Sequence, residues 1–141
     1  MLVVYNVHDT FKMKKILNLI LILFPLLSFG QHLKCCKSVN QVESYLKGNW
    51  IENKAESNTV YEFWFENGKG HLSEKEITEN GDELIELEIQ PYLEVIKYEG
   101  GFKIKFTYPY GSWTSELKYL NSSKLILIRD GKETEYYRYK I

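Results

Sequence analysis

Residues that commonly carry out catalysis or bind metals are scarce in this sequence, which has three histidines and two cysteines among 141 residues. It contains no glycine-rich phosphate loop, no dinucleotide-binding fingerprint and no His-x-x-x-His metal spacing. His71 is followed by Leu72 and Ser73 on a predicted strand, where neighbouring side chains face opposite sides, so we expect a surface histidine rather than a catalytic base. We therefore predict that the protein is not an enzyme and needs no metal or other cofactor.

An excess of charge of one sign is also absent. The chain has 18 Lys and Arg residues against 19 Asp and Glu residues, a formal net charge of −1, and the two signs are interspersed. Binding to nucleic acid through its phosphates requires a basic patch, and none is evident. A polybasic membrane-surface site is equally unsupported.

The sequence has one long apolar run, at 16–27, and it is short for a membrane span, which needs about 20 residues. Lys14 and Lys15 precede it, Pro25 interrupts it, and the small residues Ser28 and Gly30 follow it. This is the architecture of a signal peptide covering 1–30, with 1–12 as an over-extended start; a retained anchor is the alternative. We expect a periplasmic or secreted protein with no stable membrane insertion after cleavage.

The two cysteines, Cys35 and Cys36, are adjacent and lie in a segment, 31–37, that we predict to be a flexible tail. Lys34 occupies the position where lipoprotein processing sites carry a small residue, so lipidation is not expected. Export permits disulfides, and the two cysteines could bridge each other, pair with another chain or remain free thiols. Together with His32 they offer too few ligands, in too flexible a place, for a metal site.

A change of pattern separates one short helix from a long series of strands. Ser38 can cap a helix over 38–46, and from Trp50 onward β-branched and aromatic residues alternate with charged ones, with a turn signal about every ten residues. Connections this short join antiparallel neighbours. The predicted strands are 49–53, 59–66, 70–78, 83–98, 102–108, 112–120, 124–129 and 133–140.

The predicted fold is therefore all-β: an up-and-down antiparallel meander of about eight strands that forms a barrel or a strongly curled sheet over 38–141. With no second layer beyond the short helix, the sheet must close on itself to bury its apolar face. Pro91 lies inside the fourth segment, which is either one strand bent at Gln90-Pro91 or two strands, and we favour the bend.

The residues Gly48-Asn49-Trp50, just after a short helix and at the start of the first strand, resemble the Gly-x-Trp signature of lipocalins. The meander that follows is similar to a small bacterial lipocalin-like, calycin-type exported domain. The resemblance implies a barrel that is closed at the end where Trp50 lies. It also implies that a basic side chain near the end of the last strand, here Arg138, covers that tryptophan.

The aromatic and aliphatic residues on the predicted inward face of the barrel indicate the function. We predict a non-enzymatic binding protein for a small apolar or amphipathic ligand, because barrel interiors are recurring ligand sites. An envelope or secreted protein–protein interaction module with a filled core is the alternative, since Trp64 falls on the outward face, where it would need a cover. Glu74 with Glu76, and Glu86 with Glu88, are interpreted as solvated faces rather than a catalytic pair. The predicted ligand-binding residues are Tyr61, Phe63, Phe65, Ile104, Phe106 and Trp113.

Mass spectrometry can test the export prediction. Ser28 and Gly30 are the small residues at −3 and −1 of the expected cleavage site, so the mature chain should begin at Gln31. Intact mass and N-terminal peptide mapping of protein from its native host should show this start, free or cyclised to pyroglutamate, without lipid. A diacylglyceryl adduct on Cys35, or a chain that retains the apolar run, would contradict the prediction.

Overall fold

The computed structural model describes residues 33–66, 69–80, 84–86 and 90–140. The predicted signal peptide, His32, residues 67–68 and Glu88 lie outside these residues. Within them, the chain forms no helix that is both long and apolar enough to cross a bilayer.

Over the part of the chain that the structure describes, one helix is followed by nine strands. The helix, α1, covers Val39–Leu46. The strands are β1 Gly48–Glu52, β2 Thr59–Glu66, β3 Lys69–Ile77, β4 Leu84–Glu86, β5 Tyr92–Tyr98, β6 Gly101–Tyr108, β7 Gly111–Leu120, β8 Lys124–Arg129 and β9 Lys132–Arg138.

The strands form a closed antiparallel barrel with up-and-down connectivity. Each strand pairs with a sequence neighbour, and β1 pairs on one side with β2 and on the other with β9, which joins the first strand to the last. An even number of strand positions places the first and last strands antiparallel, so the ring closes without an edge. The predicted fold class is confirmed.

The segment around Pro91 occupies one position of the barrel. β4 pairs with β3 at Lys75–Ile77, and β5 pairs with β3 at Gly70 and His71. Because β2 pairs along the whole of β3, both segments must lie on its other edge. Pro91 is buried between them, and its carbonyl oxygen accepts from the amide of Leu72 at 3.1 Å, although it has no amide to donate. The nine strands therefore fill eight positions.

The helix packs on the barrel with its apolar stripe. The Oγ of Ser38 accepts from the amide of Gln41 at 3.3 Å, which caps the N-terminus as expected. Val42 and Leu46 are completely buried, and α1 contacts β2, β5 and β7. A helix of eight residues is unstable in water alone, so this packing holds it.

Arg138 covers Trp50 at the closed end of the barrel. The two residues are cross-strand partners in β1 and β9, and the guanidinium carbon lies 3.8 Å from the centroid of the indole ring. The indole nitrogen donates to the carbonyl of Leu46 at 2.7 Å, and Trp50 is fully buried. The position that the lipocalin resemblance implies for Arg138 is thus the observed one.

The same guanidinium ties the helix end and one turn to the last strand. Nη1 donates to the carbonyl of Lys47 at 2.8 Å, Nη2 to that of Tyr45 at 2.7 Å and Nε to that of Ser122 at 3.1 Å. Two of these carbonyls belong to the C-terminal end of α1, where a positive charge is favourable. Partial burial lowers the pKa of Arg138 from its ordinary value, but a guanidinium remains charged.

Gly48 is required by this arrangement. Its φ of +121° is one that side chains rarely allow, and a Cβ atom there would lie 2.7 Å from Nη1 of Arg138. The glycine of the Gly-x-Trp signature therefore leaves room for the arginine that covers the tryptophan.

The segment before the helix is packed, in contrast to the flexible tail predicted from the sequence. Leu33 and Cys36 are buried in the main core, and Nζ of Lys97 donates to the carbonyl of Lys37 at 2.8 Å. Cys35 and Cys36 form a disulfide with each other, one of the three arrangements that the sequence left open. Leu33 adds an apolar side chain to the end covered by α1, which the sequence pattern did not reveal.

We expect Arg138→Lys to lower the free energy of unfolding by about 2 kcal/mol, since a single ammonium cannot reach three carbonyls and also lie flat on the indole. Urea denaturation measures this. Arg129→Lys, a change of the same kind at an exposed position, should alter stability by no more than about 0.5 kcal/mol. Equal effects of the two substitutions would show that Arg138 does not hold the closed end.

Candidate functional site

A cavity of about 260 Å³ opens at the end of the barrel opposite Trp50 and Arg138. Its walls come from β2, β3, β6, β7, β8 and β9, and Tyr108 and Arg129 are the last residues of their strands. The lining residues are Tyr61, Phe63, Leu72, Glu74, Phe106, Tyr108, Trp113, Ser115, Leu127, Arg129, Thr134 and Tyr136.

The alternation of side chains along each strand brings these residues to one face. Tyr61 and Phe63 lie opposite Glu74 and Leu72 in the β2–β3 pair, and directly opposed residues share a face of the sheet. In the β6–β7 pair, Phe106 lies opposite Trp113. The period of two that identifies the inward face from the sequence therefore also builds the cavity wall.

Four of the six predicted ligand-binding residues line the cavity: Tyr61, Phe63, Phe106 and Trp113. Phe65 and Ile104 also point inward, but they are buried in the core nearer the closed end and do not line it. The ring of Phe65 lies against Gly70, where a Cβ atom would be 2.5 Å from Cε1 of that ring. Whether any of the six contacts a ligand stays a prediction.

Trp113 is the centre of an aromatic stack in the cavity wall. The ring of Tyr108 lies 4.5 Å from it at an interplanar angle of 19°, and the ring of Phe106 lies 6.0 Å away at the same angle. The guanidinium carbon of Arg129 lies 4.4 Å from the indole centroid. A cation thus already packs against an aromatic ring at this mouth.

Three tyrosines surround the opening. Tyr61 and Tyr136 meet edge to face with their centroids 5.6 Å apart. Burial, followed by the charges of Glu74 and Glu52, raises the pKa of Tyr61. Burial raises the pKa of Tyr136 further, with contributions from Tyr61 and from the same two carboxylates. Burial also raises the pKa of Tyr108 to about 12, with Glu74 as the next cause.

Glu74 is the functional candidate that the sequence analysis missed. Its interpretation as part of a solvated face is wrong: it lies opposite Tyr61 and lines the cavity, and its Oε1 accepts from the hydroxyl of Tyr108 at 3.4 Å. Leu72, two residues earlier on the same face, is the signal that could have found it. Glu86 is exposed as expected and accepts from Ser73 Oγ at 2.7 Å.

The outer face of the barrel carries a separate aromatic pair. Trp64 is half-buried on the outside, as the alternation predicts, and its ring stacks on that of His71 at 4.5 Å and 16°. His71 therefore covers Trp64 and does not line the cavity. Tyr92, the partner of His71 in β5, is 72% exposed.

The described residues offer little for a metal ion. No three side chains of His, Cys, Asp or Glu within them are grouped so as to hold one. Both cysteine sulfurs are engaged in the disulfide. The chemistry available at the cavity is consequently that of aromatic faces, hydroxyl groups, one carboxylate and one guanidinium.

Comparison with known proteins yields one structure and no sequence relative. No protein-family model matches the chain, and no curated protein matches it. A solved lipocalin-like protein from Bacteroides uniformis is similar over 67% of this chain and 98% of its own length, at 16% identity and a TM-score of 0.43. The fold is lipocalin-like. That description rests on the closed eight-position barrel and on the Trp50–Arg138 pair, rather than on this distant superposition.

The elevated pKa of Tyr108 predicts how alkali affects the lipocalin-like domain. Unfolded tyrosine ionises near pH 10, so the contribution of the neutral Tyr108 hydroxyl to stability is complete below that pH. It is lost as the pH rises through about 12. Absorbance titration at 295 nm should show a component near pH 12 that Tyr108→Phe removes.

The control for this titration is Tyr92→Phe, because Tyr92 is exposed on the outer face. It should leave the component near pH 12 in place. If Tyr108→Phe instead removed absorbance that appears near pH 10, the hydroxyl would not sense the burial and the carboxylate described above.

Proposed function

We propose that this protein is an exported, non-enzymatic, lipocalin-like binding protein for a small apolar or amphipathic ligand. The observation that carries the proposal is the cavity of about 260 Å³ at the open end of the barrel, with four predicted residues in its wall. Export rests on the predicted signal peptide, and a periplasmic or secreted location follows from it.

The volume suggests a ligand with one ring. A dry apolar cavity of about 150 Å³ accommodates benzene, whereas drug-sized ligands occupy about 300–1,000 Å³. At about 260 Å³ the cavity lies between these values. A single aromatic ring with a short polar substituent fits this range.

The lining suggests an amphipathic ligand. Aromatic and aliphatic side chains form most of the wall, and a few polar groups, among them Ser115, Glu74 and the tyrosine hydroxyls, lie among them. Such a mixture binds an apolar body and fixes its orientation through a polar end. The lining contains neither histidine nor cysteine among the described residues, which favours binding over nucleophilic catalysis.

The interaction-module alternative has less support. It assumed a filled core, whereas the open half of this barrel holds a cavity. It also assumed that Trp64 needs a partner to cover it, and the ring of His71 already does so. Binding of an envelope protein therefore remains the second candidate.

Ser115→Leu tests the proposal by filling the cavity. Ser115 is buried in the wall, and the larger side chain should occupy the space of a single-ring ligand. Benzyl alcohol should bind the wild type, and its affinity for the variant should be at least about tenfold lower, a loss of about 1.4 kcal/mol in binding free energy. Ligand-observed NMR measures both affinities.

Ser112→Leu is the matched control, because Ser112 lies on the same strand but is exposed, one residue before the inward Trp113. It should bind benzyl alcohol like the wild type. Circular dichroism checks that both variants are folded, since overpacking costs about 1–3 kcal/mol. Unchanged binding in a folded Ser115→Leu variant, or a wild type that binds no single-ring probe, would refute the proposal.

A further inference from the structure

We infer that the ligand of this cavity carries a positively charged amine, and that the carboxylate of Glu74 binds it. The inference rests on the proposed binding function and adds the chemical class of the ligand to it. Its basis is a carboxylate held among aromatic rings inside the barrel without a cation of its own.

Glu74 differs from the acidic residues of the outer face that form ion pairs. On the outer face, lysines neutralise carboxylates in the pairs Lys75–Glu62, Lys103–Glu116, Lys118–Glu133 and Lys124–Glu135. Glu74 faces inward, and among the described residues no ion pair includes it. Its hydrogen bond from Tyr108, at 3.4 Å, is long. A partly buried carboxylate without a cation is unfavourable unless something else supplies the charge.

The rings around Glu74 suit a cation as well. Tyr61 and Tyr108 flank the carboxylate, and Trp113 stacks on Tyr108. Aromatic faces attract ammonium groups, and aromatic cages are a recurring solution for binding them. The guanidinium of Arg129 on the ring of Trp113 shows that this wall already accommodates one cation.

The other charges at the open end are divided between its two sides. Glu52 and Glu76 share the inward side with Glu74, on β1 and β3. Arg129 and Lys132 lie opposite each other at the tip of the β8–β9 hairpin. Both basic residues are exposed, so water screens them, and Arg129 also has a neighbouring carboxylate, with its Nε 3.6 Å from Oδ2 of Asp130.

The tyrosines at the opening also sense its carboxylates. Burial is the largest cause of the raised pKa of Tyr61, Tyr108 and Tyr136, and the charge of Glu74 adds to it for all three. Glu52 acts in the same direction on Tyr61 and Tyr136. Burial disfavours a charge of either sign, so only the contribution of the carboxylates favours a cation here.

Three probes with one ring and different charges separate the possibilities. Benzylamine is a cation at pH 7, benzyl alcohol is neutral, and benzoate is an anion. Isothermal titration calorimetry on the wild-type mature protein should show benzylamine binding at least about tenfold more tightly than benzyl alcohol, with benzoate weakest. Raising the salt concentration should reduce the preference only modestly, because Glu74 is partly shielded from solvent.

The variant that decides the matter is Glu74→Gln, which keeps the shape of the side chain and removes its charge. It should reduce the affinity for benzylamine to about that for benzyl alcohol and leave benzyl alcohol unchanged. Glu94→Gln is the matched control, since Glu94 is exposed on β5, next to the inward Leu93. That control removes the same net charge and should retain the preference.

The possible outcomes distinguish a failure of this inference from a failure of the proposed function on which it rests. If the wild type binds the amine and the alcohol equally, or if Glu74→Gln keeps the preference, the amine inference is wrong while the binding function stands. The amine inference would also be wrong if benzoate bound most tightly and Arg129→Gln abolished that binding. The ligand would then carry an anionic group. If none of the three probes binds, both the inference and the proposed function fail.

Discussion

The closure of the barrel between β1 and β9 is the constraint on which the rest of this structure depends. Arg138 makes that closure specific, because its guanidinium lies on Trp50 and donates to two carbonyls at the end of α1. The helix, the first strand and the last strand are thereby fixed together. This contact requires glycine at position 48, since no larger residue could stand beside the guanidinium.

Because one end is closed in this way, the two halves of the barrel differ in the side chains that face the interior. In the closed half, side chains such as Phe65, Ile104 and Leu46 are buried and supply the hydrophobic stabilisation. In the open half, the inward positions carry tyrosines, Glu74 and Trp113, which do not fill the space between the strands. Substitutions in the closed half are therefore expected to act mainly on stability.

The sequence predicts most of the fold because turn residues and a period of two are local signals. Most strand bounds and the inward faces follow from them, whereas the cover of Trp50 is implied by the resemblance to lipocalins. The sequence does not show that Phe65 and Ile104 lie outside the cavity, because that depends on how far along the barrel each residue lies. Glu74 was misassigned because charge suggests solvent, although it follows the inward Leu72 by two residues and lies in register with Tyr61. The packing of Leu33 and Cys36 is tertiary and has no periodic pattern.

The hydrogen bonds of Arg138 join residues 91 and 93 positions apart in the chain. A ribosome or a translocation channel releases the N-terminal part of such a domain long before its C-terminal strand. Until β9 is available, β1 lacks one of its two neighbours and the helix end lacks its cation, so the native ring cannot form. The ring can therefore close only after the last strand has been released, however early the first strands form.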